Sequence, residues 1–234
     1  DSSWDTWLDG YVKGAPHRKV SIYNEGALLA FAMDLIIRKE SENRASIHNV
    51  MNKLYTDYAL QGKGYTEHDY KAACEHFSGK DLTYFFKNFV HGTQPYESLL
   101  VEALEAIGFT LEMEKSPLFS ERILGIKTVK SNGSFIITDI FPGSTAELGN
   151  LMLNDQIIAI NDREIQDNLE DVIAPIFDIP LTLKINRAGR ILDIMCPNTN
   201  RDVYPIYKIK KVKIPSNLNK RIFKSWIAFN WEDC

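Results

Sequence analysis

Cysteine is scarce in this chain. Its 234 residues hold three, Cys74, Cys196 and Cys234, too few and too scattered for a disulfide framework or a zinc knuckle. The expectation is two core thiols and one tail thiol. A surplus of positive charge is lacking too: 27 Lys and Arg meet 31 Asp and Glu, for a net charge of −4. That balance excludes the global basic field of a nucleic-acid binder. Long apolar runs are missing. The longest, 27–33, ends at Asp34, well short of the ~20 residues that a membrane span needs. Serine nucleophile elbows, phosphate-cradling glycine loops and nucleic-acid-type aromatics are absent. The chain opens DSSWDTWLDGY, with no initiator Met, basic n-region or apolar signal core, so it reads as an excised piece of something longer.

What is present falls into two patterns. From Trp4 to about Ile107 the apolar spacing is helical. Gly26–Lys39 reads as a helix too apolar to face water on any side, with Asp34 in its middle and Arg38 four residues on to neutralise it. Ser46 caps a run with apolar residues at Ile47, Val50, Met51, Leu54, Tyr55 and Tyr58. Thr66 and Asp69 form a capping-box pattern. Asp81 opens a further helix that Gly92 ends, and YESLLVEALEAI stops at Gly108. From Phe109 the period falls to two, and FTLEME, GSFIITDIF, DQIIAIN and LTLKINR read as strands around one short helix, NLEDVIAPIF. The basic segment KIKKVKIPSNLNKRIFK reads as a solvated edge strand rather than an anion-binding surface. The expected fold is α + β and multidomain: an all-α lobe at 1–113, a β-rich domain at 114–200, and a tail at 201–234 packing on both.

FPGSTAELGNLMLNDQIIAINDREI resembles the signature of the PDZ domains found in bacterial proteases. Pro142, Gly143, Ser144 and Ala146 form the turn and helix start, Asn154-Asp155 stands where Gly-Asp is usual, and Ala159-Ile160-Asn161 closes the motif. The similarity covers roughly 118–197. It implies a groove that takes an extended peptide, or a protein C-terminus, as an added strand. The carboxylate loop would be Arg122, Ile123, Leu124, Gly125 and Ile126, with Leu169, Val172 and Ile173 on the opposite wall. The alternative is that these residues are core and the groove is vestigial.

SIYNEGALLAFAMDLIIR is similar to the helix that follows the zinc site in glycyl aminopeptidases of the thermolysin-like (gluzincin) clan. Ser21, Tyr23, Gly26, Asp34, Leu35, Ile37 and Arg38 carry the match. The resemblance continues through SSWDTWLDGY upstream and FFKNFVHGTQPYE downstream. It implies that Tyr23 stabilises the oxyanion formed when zinc-activated water attacks a peptide carbonyl. Ile22 and Glu25 depart from the pattern, where a second tyrosine and a lysine are usual. Such an enzyme needs His-Glu-x-x-His and a downstream glutamate, and this sequence has neither. His68 and His76 lie eight residues apart, and His17, His48 and His91 read as isolated. The chain is therefore expected to hold no metal itself. Zinc would belong to the full-length parent, the upstream polypeptide would be its partner, and the isolated chain would be inactive. The other reading is a degenerate peptidase that acts as a PDZ binding module. The family is bacterial; periplasmic, envelope and cytoplasmic locations stay open.

Overall fold

The computed structural model describes residues 22–165, 167–176, 179–199 and 201–233. The Trp-containing lead-in, His17 and Cys234 lie outside them. Two compact units emerge. One joins 22–112 to the segment from Lys208 onward; the other is Met113–Tyr207.

The first unit is helical. Its opening helix, α1, spans Ile22–Glu40, and its second half is core: Ala32, Met33, Leu35, Ile36 and Ile37 are each at most 4% exposed. Burying a large aliphatic side chain of this kind contributes about 1.5–3 kcal/mol. The first half differs. Tyr23 is 73% exposed, and Ile22 and Leu28 nearly 40%. The helix is apolar all round but buried over only half its length, which corrects the expectation from sequence. Residues 32–37 meet the packed layer of the unit, and the first two turns extend beyond it.

Asp34 is buried as predicted to pair with Arg38, whose Nε lies 3.1 Å from Oδ2. Its other oxygen accepts the backbone N–H of Ile47 at 2.8 Å. Ile47 is the first residue of α2, Ile47–Asp57, so the carboxylate of one helix satisfies an orphan donor at the start of the next. Ser46 and Asn49 cap α2, the Asn49 Oδ1 accepting the Ser46 N–H. Val50 and Leu54 face inward, whereas Met51 and Tyr55 are exposed.

In α3, Glu67–Ser78, the Thr66–Asp69 capping box forms as expected, with Asp69 Oδ2 accepting the Thr66 N–H and the Thr66 hydroxyl accepting from Asp69. The next helix, α4, is short, Thr83–Phe85, and widens into a π-turn over Phe86–Val90. Phe85, Phe86 and Phe89 all reach the core through it. Gly92 does not end this helix in a left-handed cap. It is needed because a Cβ there would lie 2.4 Å from the Asn88 carbonyl oxygen. The final helix of this run, α5, Glu97–Ala106, stops before Gly108, whose φ is +78°.

The basic tail segment is only partly an edge strand. Its first part, β8 (Ile206–Lys211), pairs with β1 (Phe109–Glu114) in a two-stranded sheet. The remainder winds into α8, Asn217–Ile227, opened by a Ser216–Asn219 capping box. Ile222 and Phe223 are buried in the helical core, and Phe223 stacks on Phe109 at 5.5 Å. The helical unit is thus assembled from two distant chain segments.

The second unit is a sheet in the order β2 (Ile126–Ser131), β3 (Ser134–Ile140), β4 (Gln156–Ile160), β6 (Leu181–Arg187), β7 (Arg190–Cys196), all neighbours antiparallel, with β5 (Arg163–Glu164) paired to β4. Two short helices, α6 (Thr145–Leu148) and α7 (Leu169–Ile173), belong to it. Asn154, where glycine is usual, has φ +71°, a left-handed conformation asparagine tolerates better than most residues. Beside it Asp155, 1% exposed, takes both arms of Arg187 at 2.7 Å. This buried fork, which also holds the Arg187 pKa up, ties the β4 turn to the end of β6.

Candidate functional site

Tyr23 stands in the first turn of the described part of α1, within the helix rather than ahead of it, on its exposed half. Glu25 is half-buried and lies near Tyr96, whose pKa is raised by burial and secondarily by the Glu25 charge. Residues two apart on a helix diverge by about 200°, so Glu25 and Tyr23 address opposite sides. Among the described residues no group of three or more His, Cys, Asp and Glu side chains could hold a metal. His91 is not isolated: its Nε2 lies 2.7 Å from Glu67 Oε1 across an exposed surface. His48 faces Asn52.

The second candidate is the set of residues expected to line a peptide groove in the β-rich unit, on α7, on β2 and in the turn ahead of it. Of the eight residues named for it, Leu124, Ile126, Leu169 and Ile173 are at most 2% exposed and belong to the core. Ile123 and Val172 are half-buried and keep surface toward solvent. Gly125 is buried, with φ +76°, and a Cβ on it would lie 2.3 Å from the Ser144 Cβ. Only glycine satisfies both the angle and the contact.

The loop ahead of β2 is wound, not open. Ser120–Leu124 forms a π-turn, with the Arg122 N–H on the Leu118 carbonyl at 2.9 Å and the Gly125 N–H on that of Glu121 at 3.1 Å. Sequence reasoning missed Glu170, in the first turn of α7. Its Oε2 accepts the N–H groups of Phe119 at 2.5 Å and Ser120 at 3.2 Å. The available signal was its place two residues after the N-cap Asn168, where an acid is common. The Arg122 guanidinium lies 4.5 Å over the Phe119 ring, and its Nε is 3.3 Å from Asp202. At the far end of β2, Lys130 Nζ donates to the Asp167 carbonyl and carboxylate at 3.0 and 3.1 Å.

The PDZ domain family model matches residues 103–185, from within α5 to within β6. An aminopeptidase N family protein from Idiomarina loihiensis has a similar structure, with a TM-score of 0.72 at 20% identity. The chain carries a PDZ domain within an aminopeptidase-type fold. The similarity covers 93% of this chain but 39% of the Idiomarina protein, so the chain spans about two fifths of that relative. The PDZ domain of HtrA3 bound to a phage-derived ligand (FGRWV) also matches, with a TM-score of 0.27 at 17% identity, over 44% of this chain and 93% of that one. No curated protein matches the sequence. No described helix is long and apolar enough to cross a membrane.

Proposed function

We propose that this chain forms part of a zinc-dependent aminopeptidase: a helical lobe that closes the active site, followed by a PDZ domain that recognises peptide or partner segments. The observation that carries this reading is the exposed first half of α1, with Tyr23 at its head. An apolar helix face left open in this chain is what a lobe covered by the upstream polypeptide would present. The aminopeptidase-type fold supports the same reading.

The described residues do not fit a zinc site, so any metal is held by the upstream part, where it would activate water. What this chain supplies is a phenol. Aimed at the developing oxyanion, Tyr23 is a donor fixed by the helix, and removing one such donor typically costs about 10²–10³ in kcat. In the full-length protein, Tyr23→Phe should lower kcat on glycyl or alanyl amides by about that factor, with little change in KM. An unchanged kcat would refute the assignment. Chelator-sensitive hydrolysis by the isolated chain would overturn its role as an incomplete lobe.

The competing reading, a degenerate peptidase serving as a binding module, rests on Glu25 standing in place of lysine. The half-buried position of Glu25 by Tyr96 favours the enzyme, because the reversed charge is turned away from Tyr23. A broken zinc motif upstream of Asp1 would favour the module.

A further inference from the structure

The tail of the chain carries charge of one sign. From Lys208 to Trp231 the sequence holds seven Lys and Arg and no Asp or Glu, in a chain whose net charge is −4. Three of the seven are engaged within the helical unit. Lys210 pairs with Glu112 and Lys220 with Glu232, while Lys211 donates to the Trp231 carbonyl at 2.9 Å and lies 4.4 Å over its ring. Lys213, Arg221 and Lys224 are different: they have no ion pair among the described residues, and all three are exposed.

Helix α8 puts two of these cations on one stripe. It turns Ile222, Phe223 and Asn219 inward, the Asn219 Nδ2 donating to the Glu105 and Ala106 carbonyls at 2.7 and 3.0 Å. Spacings of three and four residues then set Asn217, Arg221, Lys224 and Ala228 on the opposite side, and all four are exposed. Apolar residues stand at both ends of the stripe. Ile214, in the turn that leads into α8, is 90% exposed, and Phe229, just past the left-handed end of the helix at Ala228, is 65% exposed. The turn is anchored on either side of Ile214. The Val212 N–H donates to the Gly108 carbonyl at 3.0 Å, and the Ser216 N–H to Asn219 Oδ1 at 2.9 Å.

A single exposed apolar residue is ordinary. Two of them bracketing a stripe of unpaired cations match the chemistry of a lipid interface, where cations meet anionic headgroups and apolar side chains enter the acyl boundary. A nucleic acid would use the cations, but it binds side chains by stacking on rings and offers nothing to the aliphatic Ile214. We propose that the outward stripe of α8 and the turn before it dock this chain on an anionic lipid surface, with Lys213, Arg221 and Lys224 at the headgroups and Ile214 and Phe229 at the acyl boundary. The contact is peripheral, since no described helix is long and apolar enough to cross a membrane. With the chain negative overall, adsorption through this stripe is oriented. The proposal is independent of the peptidase reading.

The test is sedimentation of the 234-residue chain with vesicles of phosphatidylcholine alone, or with about a third phosphatidylglycerol. Binding should require the anionic lipid and weaken as salt rises. Lys213→Gln, Arg221→Gln and Lys224→Gln should each lower partitioning about fivefold, and together about a hundredfold. Ile214→Ser should lower it about fivefold with every charge in place, a loss that electrostatics alone does not give. These side chains are exposed, so thermal melts of the variants should match the parent. No binding to anionic vesicles by the unaltered chain overturns the proposal, as does equal binding to both vesicle types. Binding to duplex DNA that exceeds vesicle binding and ignores Ile214→Ser would make the stripe a polyanion site and also overturn it. The vesicle comparison on the unaltered chain decides the matter even where a variant fails to fold.

Discussion

Asp34 is the most informative single perturbation in the helical unit. Its carboxylate, in a residue 7% exposed, holds two donors: Arg38 Nε at 3.1 Å and the Ile47 N–H at 2.8 Å. Asp34→Ala removes both bonds. A hydrogen bond to a charged group contributes about 1.5–3 kcal/mol. Arg38 is not left stranded, because its Nη1 also donates to Asn43 Oδ1 at 3.1 Å and to Ser225 Oγ at 2.9 Å. The cost should therefore fall near about 3 kcal/mol rather than at the upper end for a broken buried pair. Asp34→Asn keeps an acceptor for Ile47 but turns an amide N–H₂ toward Arg38, and should cost about 1–2 kcal/mol. Urea titration followed by the far-ultraviolet helical signal reads this directly, and the slope m should be unchanged. A cycle with Arg38→Ala should give a coupling of about 1–2 kcal/mol. The reasoning is refuted if Asp34→Ala shifts stability by less than about 0.5 kcal/mol, the ordinary range for a surface change, or if Asn and Ala cost the same.

Gly125→Ala places a Cβ 2.3 Å from the Ser144 Cβ at a φ of +76°. Strain and clash together should cost about 3 kcal/mol or more, visible as early unfolding of the PDZ unit while the helical signal persists. Burial pushes the Cys196 thiol up to about 12 and the Cys74 thiol up to about 11, from 9.0. Both should resist thiol reagents at neutral pH until the chain is unfolded, as mapped by mass spectrometry. The sign of the linkage follows. The neutral thiols contribute stability that is fully present below pH 9.0 and lost as pH rises through the folded values of about 11 and about 12. Alkaline melts should record that decline in both units, and a flat profile between pH 9 and 12 would contradict it.

Much of the fold was legible because its signals are local. The capping pairs Ser46–Asn49 and Thr66–Asp69, the glycine stop at Gly108 and the period-two strands each depend on a few adjacent residues. The α8 helix escaped because its apolar residues, Leu218, Ile222, Phe223 and Trp226, are interleaved with Lys220, Arg221 and Lys224, and the basic character of the segment dominated the pattern. The π-turns at 86–90 and 120–124 escaped for a different reason. A π-turn inserts a residue into a helix, so it shifts the period without changing composition. Around the start of β2, the pattern could not separate Leu124 and Ile126, which are core, from Ile123, which is not. The contact of Glu170 with Phe119 and Ser120 could not be read at all, since those partners lie 51 and 50 positions away.

The two halves of α1 show where a single sequence stops being sufficient. Apolar residues recur along its whole length, and the hydrophobic effect alone says only that they leave water somewhere. Residues 32–37 do so within this chain. Ile22, Tyr23 and Leu28 do not, and nothing in their composition marks the difference, because a surface destined for another part of a polypeptide has the chemistry of a core. The distinction becomes visible only when burial is measured on the folded chain. It is then informative, since the exposed turns also carry the tyrosine. If the upstream polypeptide covers this surface, Ile22 and Leu28 should be protected in the full-length protein and accessible in the isolated chain. Replacing Leu28 with Asp should then weaken association of the isolated chain with a separately expressed upstream part by about tenfold or more, because burying an unpaired charge is costly. The same substitution should leave the melting of the isolated chain within the range of a surface change. A loss of intrinsic stability with no loss of association would place Leu28 in this chain's own core and remove the argument for an incomplete lobe.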